Sequence, residues 1–352
     1  MRAAVYVGGG RVEVQTVPVP EIGPGELLIR VEACGICHTD LKKVEYNLLP
    51  PPRIFGHEMA GVVVQAGAGV TKFKPGDRVV ALHHIPCHHC FYCDRKLYAQ
   101  CEGYKRVGVT AGFAPAGGGF SQYIRVMDWV VREGVIAIPD GVSFEQASFV
   151  EPVNTCHKAT VAMNPQPGDV VLIQGQGPIG LTFTSLVART GATVVATDTM
   201  PERLALAREF GASQAVDPRT TDVPALLKQL TGGRGADEVF VATSVRGIVE
   251  QAMAASRPGS RILLFAQTSD TERIELSGAG VCKLERILMG VYSASIDLQA
   301  ETAKLVFSGE VPVNRLISHR LPLDRIREGI DLALHPDGKS LKIMVLPQRF
   351  SA

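Results

Sequence analysis

The sequence predicts an α/β protein in which a doubly wound parallel sheet is inserted into a second, mostly β domain. Residues 1–153 contain short apolar runs broken by glycine and proline, which is typical of irregular β structure. From about residue 165 onward, strand-like apolar runs alternate with helical patterns, and this alternation favours a parallel sheet covered by helices. Because the mixed pattern returns near residue 290, we predict one domain over residues 154–290 and a second domain formed by residues 1–153 and 291–352.

The first domain begins with β structure. The stretch MRAAVYVGGGRVEV predicts a strand, a glycine turn and a second strand, and LLIRVEAC, AGVVVQAG, DRVVAL and FSQYIRV predict further strands. None of these runs approaches the roughly 20 apolar residues that span a bilayer. The N-terminal stretch also lacks the uninterrupted apolar core of a signal peptide. We therefore expect a cytoplasmic protein without a membrane partner.

The composition is that of a globular chain with balanced charge. Of 352 residues, 46% are hydrophobic, which is enough for sizeable cores. The 36 lysines and arginines oppose 35 aspartates and glutamates. Such a surface has no general attraction for polyanions, so we expect no nucleic-acid partner.

The inserted block shows a regular order of strands and helices. The run VVLIQ predicts a strand, and a glycine-rich turn leads from it into a helix over LTFTSLVART. The runs TVVATD, DEVFVAT and RILLFAQ predict the next strands, with helices over ERLALAREFG and near residues 246–256 between them. After the block, QAETAKLVFSG predicts a helix and LKIMVLP a terminal strand.

The turn after the first strand of the block fits the G-x-G-x-x-G pattern of dinucleotide-binding proteins, through Gly175, Gly177, Pro178, Ile179 and Gly180. The match alone is weak in a chain with 36 glycines, but its place between a strand and a helix strengthens it. The first glycine permits a tight turn, the second lets the backbone approach a pyrophosphate, and the third allows close packing of helix and strand. The N-terminus of the helix then faces the phosphate charge. A plain strand–helix turn without ligand is the alternative.

An acidic residue, Asp198, ends the next predicted strand. Its carboxylate can accept hydrogen bonds from the adenosine ribose hydroxyls and would repel an additional 2′-phosphate, so the sequence predicts NAD rather than NADP. Arg203 lies close behind and either softens this preference or is a solvated charge on the helix.

Four of the eight cysteines are crowded into one loop, which we take as residues 83–103. Cys87, Cys90, Cys93 and Cys101 match a closed tetrahedral zinc site, which has a structural role because it leaves no position for a substrate. The alternative is four reduced cysteines without metal, which would be prone to oxidation. We expect the histidines of this loop to lie outside the ligand set, which the four thiolates complete.

A second group of metal-binding residue types is scattered along the chain. Cys37, His57, Glu58 and Glu151 are of the types that bind a catalytic zinc, which takes three protein ligands and keeps one position open. Their spacing alone does not show that they meet in space.

Taken together, these motifs resemble the zinc-dependent medium-chain dehydrogenase/reductase, or alcohol dehydrogenase, family. The resemblance covers nearly the whole chain and keeps the order of the family's motifs: G-I-C-x-T-D, G-H-E, G-D-R-V, the four-cysteine lobe, E-P and G-x-G-P-I-G. It implies a Rossmann cofactor domain inserted in a GroES-like catalytic domain, and a homodimer or homotetramer. The Glu151-Pro152 pair is more similar to the sorbitol (polyol) and threonine dehydrogenase branches than to the liver-type enzymes.

The resemblance also implies roles for the scattered residues. Cys37 and His57 are expected to bind the catalytic zinc, with Glu151 as the third ligand, directly or through a water. Glu58 is expected beside the metal, where it exchanges as a ligand with substrate or water.

A proton relay is implied next to this site. Asp40 is expected to accept a hydrogen bond from His57 and fix its tautomer, and Thr39 to bind the substrate hydroxyl and begin the relay. Lys42 stands where related enzymes often have a relay histidine. An ammonium shuttles protons poorly at neutral pH, so His38 or water linked to the cofactor ribose is expected to replace it.

The predicted function is reversible hydride transfer from a polyol or secondary alcohol to NAD. A threonine-type amino-alcohol dehydrogenase and a general secondary-alcohol dehydrogenase are the alternatives within the family. A zinc-free reductase on the same fold would lack the metal ligands, and a zinc-ribbon module that binds nucleic acid would need a basic cluster near the cysteine lobe, which the sequence lacks.

Overall fold

The computed structural model describes residues 1–82, 85–103, 117–266 and 273–349. Residues 83 and 84, at the start of the predicted cysteine lobe, therefore lie outside the described residues. The described chain divides into two compact units, one of Met1–Asn154 with Ser293–Ala352 and one of Thr155–Tyr292.

The strands are, in chain order, β1 Arg2–Gly8, β2 Arg11–Thr16, β3 Leu27–Gly35, β4 Arg53–Ile54, β5 Glu58–Ala66, β6 Arg78–Ala81, β7 Tyr123–Val126, β8 Val135–Ala137, β9 Val170–Gln174, β10 Thr193–Thr197, β11 Gln214–Val216, β12 Ala236–Val241, β13 Ser256–Leu264, β14 Ile287–Gly290, β15 Ile317–Pro322 and β16 Lys342–Leu346.

The helices are α1 His38–Glu45, α2 Asp128–Glu133, α3 Phe144–Ala147, α4 Val150–Met163, α5 Pro178–Ala188, α6 Pro201–Glu209, α7 Val223–Leu230, α8 Ile248–Ala255, α9 Gly278–Cys282, α10 Gln299–Phe307 and α11 Ile326–Leu334. No helix among the described residues combines the length and the apolar character needed to cross a bilayer.

The first unit is built mainly on antiparallel β structure, and its one parallel pair among the described strands is β15 with β16. Its larger sheet has the order β15-β16-β3-β5-β6-β8, with β7 paired to β3, and a smaller sheet has the order β2-β1-β4. Buried aliphatic side chains of these strands, such as Leu27, Ile29 and Ile124, form its core. Because β16 pairs with β3 and β3 pairs with β5, the last strand of the chain joins two of the first strands in one sheet.

The second unit has one six-stranded, wholly parallel sheet in the order β11-β10-β9-β12-β13-β14. All residues of β9 and β12 are buried, which is typical of central strands covered by helices on both faces. From β9 the chain builds the sheet first toward β11 and then, from β12, toward β14. The order therefore reverses next to the carboxyl end of β9, and open parallel sheets bind ligands at such a point. The predicted fold class is confirmed.

Candidate active site

The cysteine lobe brings four thiols into one cluster. The sulfur atoms of Cys87, Cys90, Cys93 and Cys101 lie within 4.8 Å of one another, with Cys93 Sγ 3.9 Å from Cys87 Sγ and 3.5 Å from Cys90 Sγ. Ligands about 2.3 Å from a tetrahedral zinc are roughly 3.8 Å apart, so the cluster has the dimensions of a closed Cys₄ site.

Backbone groups of the lobe favour the thiolate form of Cys90 and Cys101, whereas burial and the neighbouring thiols raise the pKa of Cys93 to about 12. Hydrogen bonding from the N–H of Cys93 lowers the pKa of the Cys90 thiol to about 6. Burial opposes ionisation of Cys101, but the backbone N–H of Cys87 donates to Cys101 Sγ at 3.3 Å, and the pKa of Cys101 is lowered. A metal ligand must be deprotonated, so the lobe favours the ligand form of both residues.

The two histidines of the lobe that the structure describes have other contacts. His88 Nε2 lies 2.7 Å from Glu133 Oε2, and His89 Nδ1 lies 2.5 Å from the carbonyl oxygen of Cys87. Neither histidine belongs to the four-thiol cluster as the described residues define it.

A second cluster forms where β3, β5 and α1 meet. The ligand atoms of Cys37, His57 and Glu58 lie within 4.8 Å of one another. Sheet register explains this, because Gly35 at the end of β3 pairs with Glu58 at the start of β5. The chain leaves β3 and reaches Cys37, the residue before α1, beside the His57 and Glu58 pair.

The imidazole of His57 contacts the carboxylate of Asp40 through its Nδ1 atom. His57 and Asp40 are both buried, and Nδ1 of His57 lies 3.2 Å from Oδ1 of Asp40. Burial favours the neutral form of Asp40, but the charge and hydrogen bond of His57 outweigh it, so the pKa of Asp40 is lowered. An ionised Asp40 accepts the proton of Nδ1 and thereby directs the lone pair of Nε2 away from itself.

Glu151, on α4, is buried close to this cluster but outside the set defined by the 4.8 Å distance. Burial raises the pKa of Glu151 to about 7, and the charges of Glu58 and Asp40 act in the same direction, whereas His57 and Lys342 oppose them. A divalent cation at this place would offset the burial of Glu151 and its repulsion from Glu58 and Asp40.

The predicted relay residues lie on the first turns of α1. Thr39 and Lys42 are half-buried and His38 is exposed. Asp40, next to Thr39, makes the contact with His57.

Lys342 is a site residue that the sequence analysis missed. It is buried at the start of β16, and its Nζ donates to both carboxylate oxygens of Glu58 at 2.7 Å. In the sequence, Lys342 is a single charged residue directly before the apolar run IMVL. Such a pattern is typical of the start of an ordinary strand. Only the pairing of β16 with β3 places it at the metal-binding residues.

The glycine motif of the second unit lies between β9 and α5. Gly175 has a φ of +89°, which favours glycine, and a Cβ on Gly180 would lie 1.8 Å from the carbonyl oxygen of Gly175. Gly177 precedes α5 in extended conformation, with Pro178 as its first residue and Ile179 as its second. The turn therefore presents the N-terminus of α5 at the reversal point of the sheet.

Asp198 and Arg203 lie beside this turn. Asp198 accepts hydrogen bonds from the backbone N–H of Gln176 at 2.7 Å and of Met200 at 2.9 Å. Nη1 of Arg203 lies 3.9 Å from Asp198 Oδ2 and 4.0 Å from the position of a Cβ on Gly177. The structure thus places a carboxylate and a guanidinium together at the candidate cofactor site.

Comparison with known proteins agrees with this geometry. Residues 23–140 match the alcohol dehydrogenase GroES-like domain and residues 178–307 match the zinc-binding dehydrogenase domain. Sorbitol dehydrogenase from Bacillus subtilis (strain 168) is 30% identical over 99% of this chain and 98% of its own length. L-threonine 3-dehydrogenase from Symbiobacterium thermophilum is 32% identical over 95% of this chain and 94% of its own.

A solved structure is similar over its full length. A protein from Sinorhizobium meliloti 1021, described as a zinc-binding dehydrogenase and bound to NADP, has a TM-score of 0.89 and 29% identity, covering 98% of this chain and 99% of its own. The chain belongs to the zinc-dependent alcohol dehydrogenases of the medium-chain dehydrogenase/reductase family. It is an oxidoreductase with a small-molecule substrate, a nicotinamide cofactor and zinc, and the predicted family is confirmed.

Proposed function

We propose that this enzyme transfers a hydride reversibly between a polyol or sugar-derived secondary alcohol and NAD, with one catalytic and one structural zinc. The observation that carries the proposal is the cluster of Cys37, His57 and Glu58 with Asp40 behind the imidazole. It combines thiolate, imidazole and carboxylate donors with the hydrogen-bonded carboxylate that commonly supports a zinc-bound histidine.

Cys37, His57 and Glu151 would hold the catalytic zinc, with Glu58 beside it, and the four-thiol cluster would hold the structural zinc. When bound, a catalytic zinc acts as a Lewis acid that lowers the pKa of a hydroxyl group. Thr39 would accept a hydrogen bond from the substrate hydroxyl and take its proton toward solvent. Since the ammonium of Lys42 has no lone pair for this proton, His38 or water at the cofactor ribose would continue the relay, and oxidation would be fastest at alkaline pH.

The turn from Gly175 to Gly180 would hold the pyrophosphate of the cofactor at the N-terminus of α5. NAD supplies a hydride acceptor when bound. The carboxylate of Asp198 supports NAD over NADP, because its negative charge would repel a 2′-phosphate. Arg203, which is close to the same carboxylate, supports the NADP alternative.

The carboxylates around the metal-binding residues support a substrate with a second hydroxyl group. Glu58 and Glu151 are buried and can accept hydrogen bonds from a hydroxyl next to the reacting one. An apolar mono-alcohol has no second hydroxyl to donate to these carboxylates, so we expect it to be a poorer substrate than a vicinal diol. Threonine-type amino alcohols remain the second candidate, because L-threonine 3-dehydrogenase is among the full-length relatives.

The test is NADH formation by the purified enzyme with matched vicinal diols, mono-alcohols and threonine across a pH series. We expect vicinal polyols to give the highest kcat/KM and the rate to rise with pH. Mono-alcohols that win by about tenfold, or 1.4 kcal/mol, would identify a general secondary-alcohol dehydrogenase instead. A preference for threonine would identify the amino-alcohol branch. Light scattering should show a homodimer or homotetramer.

A further inference from the structure

The last residue of β9, Gln174, has a buried amide oxygen that no described group satisfies. The residue is 5% exposed, and its Oε1 has no hydrogen-bond partner among the residues that the structure describes. Most buried side-chain oxygens in proteins accept at least one hydrogen bond, because burial without a donor is costly. The amide of Gln174 therefore points to a donor that the described part of the chain does not supply.

The side chain of Gln174 belongs to the face of the sheet that α7 and α8 cover. Leu172, two residues earlier in β9, is part of a buried apolar cluster with Leu227 of α7 and Ala252 of α8. Side chains at positions i and i+2 of a strand point to the same face of its sheet. Gln174 therefore extends the row of Leu172 by one step, to the carboxyl edge where the chain leaves the sheet.

Backbone hydrogen bonds fix this position on both sides. The carbonyl oxygen of Gln174 accepts the N–H of Ala242 at 2.9 Å, and the N–H of Gly175 donates to the carbonyl oxygen of Thr197 at 2.8 Å. Gln174 also pairs in register with Thr197 of β10 and with Val241 of β12. The amide therefore lies between the ends of two neighbouring strands, at the point where the strand order reverses.

The surroundings of Gln174 in the candidate cofactor site indicate what the missing donor is. Gln174 directly precedes Gly175, where the proposed pyrophosphate turn begins. Its register partner Thr197 directly precedes Asp198, which we propose to bind the adenosine ribose. Because the adenine base is attached to that ribose, it would lie at the same edge of the sheet, within reach of the amide.

The side chains along this edge suit a purine that carries an amino group. Val241 belongs to the apolar cluster of this face and Val216, on β11, packs against it, so both can offer apolar surface to the faces of a purine ring. The polar edge of adenine carries a 6-amino group, which is a hydrogen-bond donor, and glutamine amides pair with this edge in other complexes. Oε1 of Gln174 is an acceptor that matches this donor.

We propose that Gln174 determines the base specificity of the cofactor site by accepting a hydrogen bond from the 6-amino group of adenine. The inference rests on the proposed binding of a nicotinamide adenine dinucleotide and adds the residue that recognises its base. It applies to NAD and NADP alike, because both carry the same base. The opposing view is that the amide only fills space beside the glycine turn, or that it binds a ribose hydroxyl.

The test compares NADH with reduced nicotinamide hypoxanthine dinucleotide, in which a carbonyl oxygen replaces the 6-amino group. This oxygen would face Oε1 of Gln174 as one acceptor against another, so we expect the wild type to bind the hypoxanthine cofactor about tenfold more weakly, or 1.4 kcal/mol. Isothermal titration calorimetry of the full-length enzyme measures both dissociation constants. Equal constants in the wild type would overturn the proposal without any variant.

Gln174→Met assigns the discrimination to this side chain. Methionine is similar in length but has no amide, so it should weaken the binding of NADH, and the tenfold ratio between the two cofactors should fall to near one. Gln214→Met, the matched control, replaces an exposed glutamine at the amino end of β11 and should keep the wild-type ratio. If Gln174→Met weakened both cofactors equally, the amide would not recognise the base, and the proposal would be wrong.

Failure of the proposed cofactor gives a different result. A wild type that binds neither NADH nor NADPH in the calorimeter would overturn the proposed function together with this inference. A wild type that binds NADPH more tightly than NADH would overturn only the role of Asp198. The comparison of bases would then use NADPH and its hypoxanthine analogue, with the same tenfold ratio expected for the wild type and its loss expected for Gln174→Met.

Discussion

At the scale of single residues, Asp198 joins two parts of the candidate cofactor site. Its carboxylate accepts the backbone N–H of Gln176, inside the glycine turn, and the backbone N–H of Met200, before α6. Each oxygen keeps lone pairs for further donors such as ribose hydroxyls. The same side chain therefore shapes the turn and supplies the charge that would exclude a 2′-phosphate.

Replacing Asp198 should relax the choice of cofactor. We expect Asp198→Gly to lower the ratio of kcat/KM for NAD to that for NADP by about tenfold or more, or 1.4 kcal/mol, chiefly through better use of NADP. Asp198→Asn is the control that keeps an acceptor oxygen and removes the charge, so it should reproduce most of the change. Steady-state kinetics with both cofactors measure the ratio. A wild type that prefers NADP would refute the assignment and favour Arg203.

Glu238 predicts a pH-dependent stability for the second unit. It is a buried residue of β12, and burial, with the charges of Asp169 and Asp237, raises its pKa to about 8 against the opposing charges of Arg261 and Arg257. Because its folded-state pKa lies above the ordinary value of 4.5, the folded protein binds the proton more tightly than the unfolded chain. The free energy of unfolding therefore falls as the pH rises from 4.5 through the folded-state pKa of about 8.

Glu238→Gln should remove this loss of stability at high pH. We expect the variant to be more stable than the wild type by about 1–3 kcal/mol at pH 9, with a smaller difference at pH 5, because no buried carboxylate remains to ionise. Urea unfolding at both pH values measures it, and Glu275→Gln serves as the exposed control. An equal difference at both pH values would exclude Glu238 as the cause.

At the scale of elements, the glycine motif is a packing device as well as a binding turn. α5 packs against β9 and β10, and a Cβ on Gly180 would lie 1.8 Å from the carbonyl oxygen of Gly175, the residue that follows β9. The N-terminus of α5 can lie this close to the turn because Gly180 has no side chain, and we propose that the same closeness lets it hold the cofactor pyrophosphate. Sequence spacing located the motif since all its parts are local, and the structure supplies the distance that makes glycine necessary.

Gly180→Ala should disturb this contact. The added methyl would lie 1.8 Å from a backbone oxygen, so α5 must shift, and overpacking of this kind costs about 1–3 kcal/mol. We expect a lower Tm and an NADH dissociation constant raised by about tenfold, measured by differential scanning calorimetry and by fluorescence titration. Gly278→Ala is the matched control, because a Cβ there meets no atom within 4 Å and its helix should tolerate alanine. Equal effects of the two variants would contradict this account.

At the scale of the whole molecule, two clusters of metal-binding residues lie in the same unit but differ in construction. The four cysteines come from one loop and its two short turns, Cys93–Arg95 and Tyr98–Gln100. The second cluster draws residues from the end of β3, the start of β5 and, beside them, α4 and β16. A closed local site stabilises its loop, whereas a site assembled from several elements can keep a position open for chemistry.

Removing one ligand from each cluster should separate these roles. The wild type is expected to bind about two zinc ions per chain by the ligand count of the two site types. Cys37→Ser should lose one zinc and the activity while its Tm stays close to that of the wild type, and Cys93→Ser should lose the other zinc and lower the Tm. Atomic absorption and thermal unfolding measure both quantities. If the two variants behaved alike, the division of roles would be wrong.

Features whose parts are neighbours in the chain could be predicted from the sequence. Spacing alone reveals the four cysteines of the lobe and the glycines from Gly175 to Gly180. A single loop or turn brings each set together, so neither depends on the rest of the fold. The alternation of strands and helices after residue 165 likewise predicted the parallel sheet, since each unit of such a sheet is local.

Contacts between residues that are far apart in the chain became visible only in the folded structure. The pairing of Gly35 with Glu58 brings Cys37 close to His57. No pattern in the sequence around Cys37 or around His57 predicts this pairing. Lys342 reaches Glu58 only because the last strand, β16, pairs with β3, so its role has no local pattern in the sequence. A strand pairing is set by the packing of the whole sheet, and a buried ion pair across strands becomes visible only when that pairing is known.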